Sequence, residues 1–168
     1  MIDFLRANDL NSDMNYQTIK TMLDVNNFAT YQCSEIFLGN QDWPGNNMKW
    51  WRPKTEDGLW KWIVFDIDAG LGAWVNYRDN SLTSATDPHG AEQWPNPPWS
   101  TFILRKLLEN EEFENLFIAT ICDLLATNFK PETSKPWVSA RANPVKAEIV
   151  NHIKRWDSDC DKVVAWRV

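Results

Sequence analysis

Two pairs of oxygen-bearing side chains stand out by their type and spacing. Asp42 and Asn47 lie five residues apart in a polar segment that follows a predicted helix, and Asp66 and Asp68 follow a predicted strand. Alternate residues of an extended strand point to the same face, so Asp66 and Asp68 are expected to point the same way. Magnesium prefers hard oxygen ligands, commonly one or two carboxylates together with substrate phosphates. We therefore expect Asn47 and Asp68 to hold a divalent metal, which leaves Asp42 free to accept a proton from an attacking hydroxyl.

This order of residues is the one found in the catalytic half of protein kinases. There an aspartate base and a metal-binding asparagine are also five residues apart, and a hairpin then leads to a second metal-binding aspartate. In this chain Asn40-Gln41 stands where kinases have His-Arg, and Ala69 stands where they have Phe. From spacing alone the alternative is a helix-capping aspartate, a turn asparagine and two surface carboxylates.

A helix and a hairpin are predicted to position these residues. Asp24 is a suitable N-cap for a helix over Val25–Leu38, and Gly39 is a suitable terminator. Two β-like runs follow, Met48–Arg52 and Leu59–Phe65, with a turn between them. The apolar positions of the helix recur at helical spacing and predict one buried face, made by Val25, Phe28, Ala29, Cys33, Ile36 and Phe37.

The rest of the chain is predicted to be mostly helical, so the fold class is α+β. Further helices are expected at about residues 12–23, Ser100–Glu109, Glu111–Asn128 and Lys146–Trp156. The third of these is expected to bury a stripe that comprises Phe113, Phe117, Ile118, Ile121, Leu124 and Leu125. Residues 73–98 lack apolar periodicity and are predicted to be a long, mobile, activation-loop-like segment that helps to position an acceptor.

Composition excludes some classes of function. The formal charge of −6 argues against a nucleic-acid partner. No apolar run is long enough for a membrane span. Cys33, Cys122 and Cys160 form no C-x-x-C pair, which argues against a thiolate zinc site, and the first two are predicted to be buried free thiols. The 11 tryptophans indicate either core and groove packing or a platform for sugar rings or an adenine base.

The central motifs resemble those of the CotH kinase family, atypical protein-kinase-like enzymes named for a spore-coat protein. The resemblance is most specific in the runs Asn40–Asn47, Trp50–Arg52 and Trp60–Asp68, with Gly70 and Gly72 after them. Weaker matches follow at Asn80-Ser81-Leu82, Trp99-Ser100-Thr101, Leu107-Leu108-Glu109-Asn110, Asp123-Leu124-Leu125 and His152-Ile153 with Arg155-Trp156. The resemblance extends over about residues 9–156.

The resemblance implies phosphoryl transfer from ATP to Ser or Thr of a protein acceptor, with Mg²⁺ or Mn²⁺ as cofactor. Asp42 then takes the catalytic role, and Asn47 and Asp68 hold the metal, with Asp66 as an alternative or additional ligand. One of the tryptophans is expected to line the nucleotide cleft, with Trp43 and Trp62 as the main candidates beside Trp60. Family members are often exported, which implies a cell-envelope or extracellular location.

The chain also departs from the family pattern. Residues 130–145 match poorly, and no glycine-rich phosphate loop or early lysine-bearing strand is recognisable. We therefore expect residues 1–168 to form a single partial domain that resembles the C-terminal lobe of a kinase, without the amino-terminal lobe and inactive when isolated. Two other functions stay open: a non-catalytic, tryptophan-rich module that binds glycan or protein, and a metal-dependent phosphohydrolase that uses water as the nucleophile.

Overall fold

The computed structural model describes residues 1–73, 76–87 and 97–156. Backbone contacts divide the chain into two compact units, Met1–Ile121 and a second that begins at Cys122. The helices are α1 (Ile2–Ala7), α2 (Asp13–Lys20), α3 (Val25–Leu38), α4 (Ser81–Thr86), α5 (Phe102–Leu107), α6 (Glu111–Ala126), α7 (Pro131–Val145) and α8 (Ile149–Trp156). Strands β1 (Lys49–Trp51) and β2 (Lys61–Ile63) pair antiparallel, with Trp50 opposite Trp62. The predicted class, α+β and mainly helical, is confirmed.

Helix α3 has the predicted bounds for the predicted reasons. The Asp24 carboxylate accepts a hydrogen bond from the Asn27 amide at 3.0 Å, which satisfies one of the free donors of the first turn. Gly39 ends the helix in the left-handed region, at φ 60°. The buried face differs from the prediction at the carboxyl end: Phe37 is exposed and Ile36 is half-buried, whereas Glu35 is fully buried.

The hairpin is attached to the start of α3 by hydrogen bonds. The Asn27 side chain pairs with the backbone of Trp62, accepting from its N–H at 2.6 Å and donating to its C=O at 3.2 Å. The Asp24 N–H donates to the Trp60 carbonyl at 3.1 Å, and Lys61 forms an ion pair with Asp24 at 3.1 Å. The edge of β2 is therefore held against the amino-terminal turn of α3.

Replacement of Asp24 by Ala should lower the free energy of unfolding by about 1 kcal/mol, because the cap hydrogen bond is lost. The half-exposed ion pair with Lys61 should add only a few tenths of a kcal/mol. Urea unfolding measures the change. Asp24→Asn is the matched control, since it keeps the capping oxygen and removes the charge. A loss as large in Asp24→Asn as in Asp24→Ala would assign the stabilisation to the ion pair instead.

Three helices were not predicted from the sequence. Helix α4 lies inside the segment predicted to be a loop, and the Asn80 side chain caps it by accepting from the Thr83 amide at 3.1 Å. Helix α1 is only six residues long. Helix α7 begins with Pro131, which suits a first helical position, but it continues through Pro136 and Pro144, residues that ordinarily predict a break. The parts of the predicted loop at 74–75 and 88–96 lie outside the described residues.

The core of the first unit consists of apolar side chains from α1, α2, α3, α5 and α6. Phe28 contacts the Trp62 ring edge-on at a centroid distance of 4.9 Å and also packs near Phe113. Cys33 is buried as predicted, whereas the prediction was wrong for Cys122, which is exposed. The predicted stripe of α6 is buried at Phe113 and Phe117, but Ile118 and Leu125 are about half exposed. Cys160 lies outside the described residues.

Candidate functional site

Two loops meet at the carboxyl end of α3. The first, residues 39–47, follows α3, and the second, residues 64–72, follows β2. Backbone hydrogen bonds hold the second loop to the first loop and to the end of α3: the Gln41 N–H donates to the Ala69 carbonyl at 3.3 Å, and the Leu71 N–H donates to the Leu38 carbonyl at 2.6 Å. The four predicted site residues lie on these two loops.

The backbone carbonyl of Asp66 connects the loops through side chains. It accepts hydrogen bonds from the side-chain amides of Asn47, at 3.1 Å, and Asn40, at 3.3 Å. The same Asn47 Nδ2 lies 3.4 Å from Oδ2 of Asp42. The structure therefore brings Asp42, Asn47 and Asp66 into one hydrogen-bonded group.

Asn47 and Asp66 both adopt left-handed backbone conformations, with φ of 51° and 55°. Non-glycine residues rarely adopt this region, and such strain collects at ligand-binding and catalytic positions. Strand β2 ends at Ile63, so the strand alternation that predicted a common face for Asp66 and Asp68 does not extend to these residues. A turn, rather than an extended strand, sets the position of the two carboxylates.

Negative charge is concentrated at Asp66. Its pKa is raised, first by partial desolvation and then by the nearby carboxylates of Asp68 and Asp42. The Asp68 carboxylate is close enough to hydrogen-bond a proton on Asp66. Lys49 opposes the rise, and its ammonium group lies 3.3 Å from the centroid of the Phe65 ring. A cation bound between these carboxylates would relieve their mutual repulsion.

Side chains that could hold such a cation are few. Within the described ranges, no three His, Cys, Asp or Glu side chains gather closely enough to bind a metal. Asp66 and Asp68 therefore supply at most two acidic side chains, and Asn47, whose side chain contacts the Asp66 carbonyl, carries a neutral amide oxygen. The Asn47 nitrogen donates to Asp42 and to the Asp66 carbonyl, so the amide oxygen is the atom that could coordinate a cation. Such a sparse set suits magnesium, which relies on substrate phosphates and water for its remaining ligands.

An apolar cavity of about 650 Å³ lies beside the hairpin. Trp50, Trp60 and Trp62 contribute to its wall, and Met48, the residue after Asn47, reaches it as well. Trp43 is not among the lining residues and is buried next to Asp42, with 5% of its surface exposed. Of the two tryptophans expected near a nucleotide, only Trp62 borders a space that a planar ring could enter.

Comparison with known proteins gives one match. A family model described as CotH kinase protein matches residues 1–162, nearly the whole chain. The chain belongs to the CotH kinase family. No curated protein and no solved structure matches it significantly.

The CotH kinase family is associated with kinase-type phosphotransfer. Kinases in general use ATP and a divalent metal. A protein substrate is likewise implied at the level of the family. Among the helices that the structure describes, none is long and apolar enough to span a membrane.

Glu35, a buried residue that contacts the first loop through Asn40, was not identified from the sequence. Glu35 is fully buried at the end of α3, and its Oε2 accepts a hydrogen bond from Asn40 Nδ2 at 3.0 Å. Burial raises the pKa of Glu35 to about 7, although the Asn40 hydrogen bond opposes the rise. Burial and the Glu35 carboxylate raise the pKa of Tyr31 as well. The signal in the sequence was an acidic residue within the apolar stripe of α3, since Glu35 follows Phe28 by two helical turns.

The raised pKa of Glu35 predicts a pH-dependent stability. The folded chain holds this proton more tightly than the unfolded chain, so the contribution to stability is complete below about pH 4.5 and is lost as the pH rises through about 7. Glu35→Gln does not titrate, and it should therefore gain on the order of 3 kcal/mol over the wild type between pH 5 and pH 8. Urea unfolding at the two pH values measures this difference, with Ser34→Ala as control on the same helix. A constant difference between Glu35→Gln and wild type would contradict the raised pKa.

Proposed function

We propose that this chain carries the metal-binding and proton-accepting side of a protein kinase site, within a lobe that resembles the C-terminal lobe of protein kinases. The reaction is transfer of the γ-phosphoryl group of ATP to a Ser or Thr hydroxyl of an acceptor protein. One observation supports it most strongly: the Asn47 amide contacts both the Asp42 carboxylate and the Asp66 carbonyl. The two residues that kinases place five apart are thereby joined to the loop that delivers the remaining carboxylates.

Each residue has a chemical role in this proposal. Asp68 and the Asn47 oxygen hold Mg²⁺ or Mn²⁺ together with the nucleotide phosphates, and Asp66 is an additional ligand. The metal, when bound, stabilises the negative charge of the phosphoryl group in the transition state. The acceptor oxygen forms a bond to the γ-phosphorus as the bond to ADP breaks, and Asp42 receives the hydroxyl proton. Asp42 suits this role because its carboxylate is only partly exposed and is oriented by Asn47.

The cavity beside the hairpin is a suitable place for the adenine ring. It is largely apolar with several indole rings in its wall, a composition that favours stacking with a planar base. Met48, one of its lining residues, follows Asn47 in the sequence, and in this proposal the nucleotide phosphates extend from the cavity toward Asn47. The Asn27 hydrogen bonds hold the Trp62 backbone, and the edge contact with Phe28 holds its ring in the wall. Trp43 instead is buried within the loop that carries Asp42.

The test is transfer of labelled phosphate from ATP, with Mn²⁺, to a Ser/Thr-containing protein by the intact enzyme. The proposal expects transfer that is lost in Asp42→Ala and retained in Asp57→Ala, a control at an exposed position in the hairpin turn. Release of inorganic phosphate without any acceptor would favour the metal-dependent phosphohydrolase. Retention on glycan or protein ligands without turnover of ATP would favour the binding module.

A further inference from the structure

We propose that Glu35 is a positioning residue that holds Asn40 in place and thereby sets the distance between the two loops of the site. No motif of the sequence pointed to it. Its consequence for catalysis rests on the proposed function, whereas the positioning itself can be tested on the folded chain alone.

Asn40 is the point at which three parts of the chain meet. Its Nδ2 donates to Glu35 Oε2 at 3.0 Å and to the Asp66 carbonyl at 3.3 Å. Its Oδ1 accepts from the Asp42 N–H at 3.3 Å. The side chain is 3% exposed, so water does not compete for these contacts. One buried amide therefore connects α3, the loop with the proposed base and the loop with the proposed metal ligands.

The orientation of the Asn40 amide follows from its partners. The Asp66 carbonyl can only accept and the Asp42 N–H can only donate, so nitrogen must face the former and oxygen the latter. An acceptor at Glu35 is the third contact and fixes the Asn40 nitrogen from the side of α3. Without it, the amide keeps two weaker contacts of 3.3 Å and can rotate away from Asp42.

Burial of a carboxylate as the acceptor for Asn40 carries a large desolvation cost. Glu35 is completely buried, and among the described residues its other oxygen, Oε1, has no hydrogen-bond partner. Two more buried polar atoms, the Tyr31 hydroxyl and the Trp43 indole nitrogen, also lack a hydrogen-bond partner within the described part of the chain. The Trp43 N–H is near enough to Tyr31 to oppose the rise of its pKa, but their contact falls outside hydrogen-bond geometry.

An apolar residue at position 35 would avoid the desolvation cost, since exchanging buried ionic groups for apolar ones is often neutral or stabilising. The carboxylate is better explained by what it holds than by stability. Tyr31 is the titratable group that interacts with Glu35 from α3, Asn40 hydrogen-bonds to Glu35 from the loop, and Trp43 lies near Tyr31. Ionised Glu35 binds the Asn40 nitrogen most strongly, because charged acceptors form the stronger hydrogen bonds.

The test compares three variants of the folded chain by hydrogen exchange of the Asp42 amide. Glu35→Leu removes the acceptor at similar volume, Glu35→Gln keeps an oxygen for Asn40, and Ser34→Ala is the control one residue away on α3. We expect exchange at Asp42 to rise about tenfold in Glu35→Leu, the loss that one such hydrogen bond can account for. Glu35→Gln should restore exchange to within about threefold of wild type, and Ser34→Ala should not change it.

An unchanged Asp42 amide in folded Glu35→Leu, or an equal rise in Ser34→Ala, would overturn the positioning role. If Glu35→Leu does not fold, the positioning role is tested instead by a pH titration of the NMR resonances of the Asn40 side-chain amide. They should shift with a midpoint near pH 7 in wild type and stay constant in Glu35→Gln. Asn40 resonances that do not respond to pH would count against the contact. A rise in exchange at Asp42 together with an intact enzyme that transfers no phosphate would leave the positioning role standing and refute the proposed function.

Discussion

Replacement of Asp42 by Asn should lower the turnover of the intact enzyme by about 10² to 10⁴-fold and leave nucleotide affinity nearly unchanged. The range is that of general-base catalysis, and it applies because an amide has the shape of a carboxylate but does not accept the hydroxyl proton. The substituted side chain still offers an oxygen to Asn47, which lies 3.4 Å from Asp42 Oδ2. The Asp42 N–H also keeps its contact with Asn40. The loop should therefore retain its conformation.

The measurement is kcat at saturating ATP and Mn²⁺, with nucleotide affinity determined separately by calorimetry. Asp57→Asn is the matched control, because it removes one exposed carboxylate from the hairpin turn and touches neither loop of the site. A collapse of affinity with turnover preserved at saturation would make Asp42 a binding residue rather than the base. The pair of measurements separates these roles because only the base acts on the bound, reacting hydroxyl.

Helix α3 shows how much a local pattern can establish. Asp24, the apolar positions that follow and Gly39 act within a few residues of one another, and all three signals agree, so the helix has the predicted bounds. The carboxyl-terminal turn differs because a charged residue, Glu35, occupies a position on the apolar stripe. Its hydrogen bond to Asn40 comes from outside the helix, and the periodicity of α3 does not show it.

The site residues were recognisable by type, but their geometry was not. The spacing of Asp42 and Asn47 has a meaning only because the intervening loop turns back on itself, where the Asn46 N–H donates to the Asp42 carbonyl at 3.0 Å. Asp66 has a left-handed backbone conformation, and its carbonyl accepts from the amides of Asn40 and Asn47, which come from another loop. Long-range hydrogen bonds of this kind leave no pattern in the sequence around Asp66.

Prediction from local residue preferences failed most clearly at α7, where proline residues predict that a helix ends. Pro136 and Pro144 each lack an N–H, so propensity predicts that a helix stops before them, yet α7 extends from Pro131 to Val145. No residue of α7 is buried, so core packing does not account for its continuity. The tryptophans illustrate a different limit: Trp43 and Trp62 were equivalent candidates from the sequence, both are buried, and only the fold shows that Trp62 lines a cavity that Trp43 does not.

Asp68 should contribute more to metal binding than Asp66, because the contacts of Asp66 are made partly by its backbone. Asp66 holds the two loops together through its backbone carbonyl, a contact in which its side chain takes no part. Its carboxylate is also the one whose pKa is raised by desolvation and by Asp68 and Asp42, so it binds a proton more readily than an ordinary aspartate. In the proposed function Asp68 is the primary metal ligand, and Asp66 is an additional one.

Replacement of Asp68 by Ala should reduce turnover of the intact enzyme by at least about 100-fold, as expected for loss of a group that stabilises transition-state charge. The side chain is exposed, so the free energy of unfolding should change by less than about 0.5 kcal/mol. Binding of Mn²⁺, measured by water-proton relaxation, should be weak without ATP, because magnesium-type sites depend on phosphate oxygens. It should strengthen with ATP in wild type and in the control Asp57→Ala, but not in Asp68→Ala.

Asp66→Ala completes the comparison. It should retain nucleotide-dependent Mn²⁺ binding, with a smaller loss of Mn²⁺ affinity than Asp68→Ala. Asp68 and the Asn47 oxygen stay in place, and the Asp66 carbonyl still accepts both amides. The reverse order, with binding lost in Asp66→Ala and kept in Asp68→Ala, would exchange the two assignments. Equal and complete retention in both variants would show that the cation is held elsewhere, because no other described side chain of the two loops offers a carboxylate except Asp42.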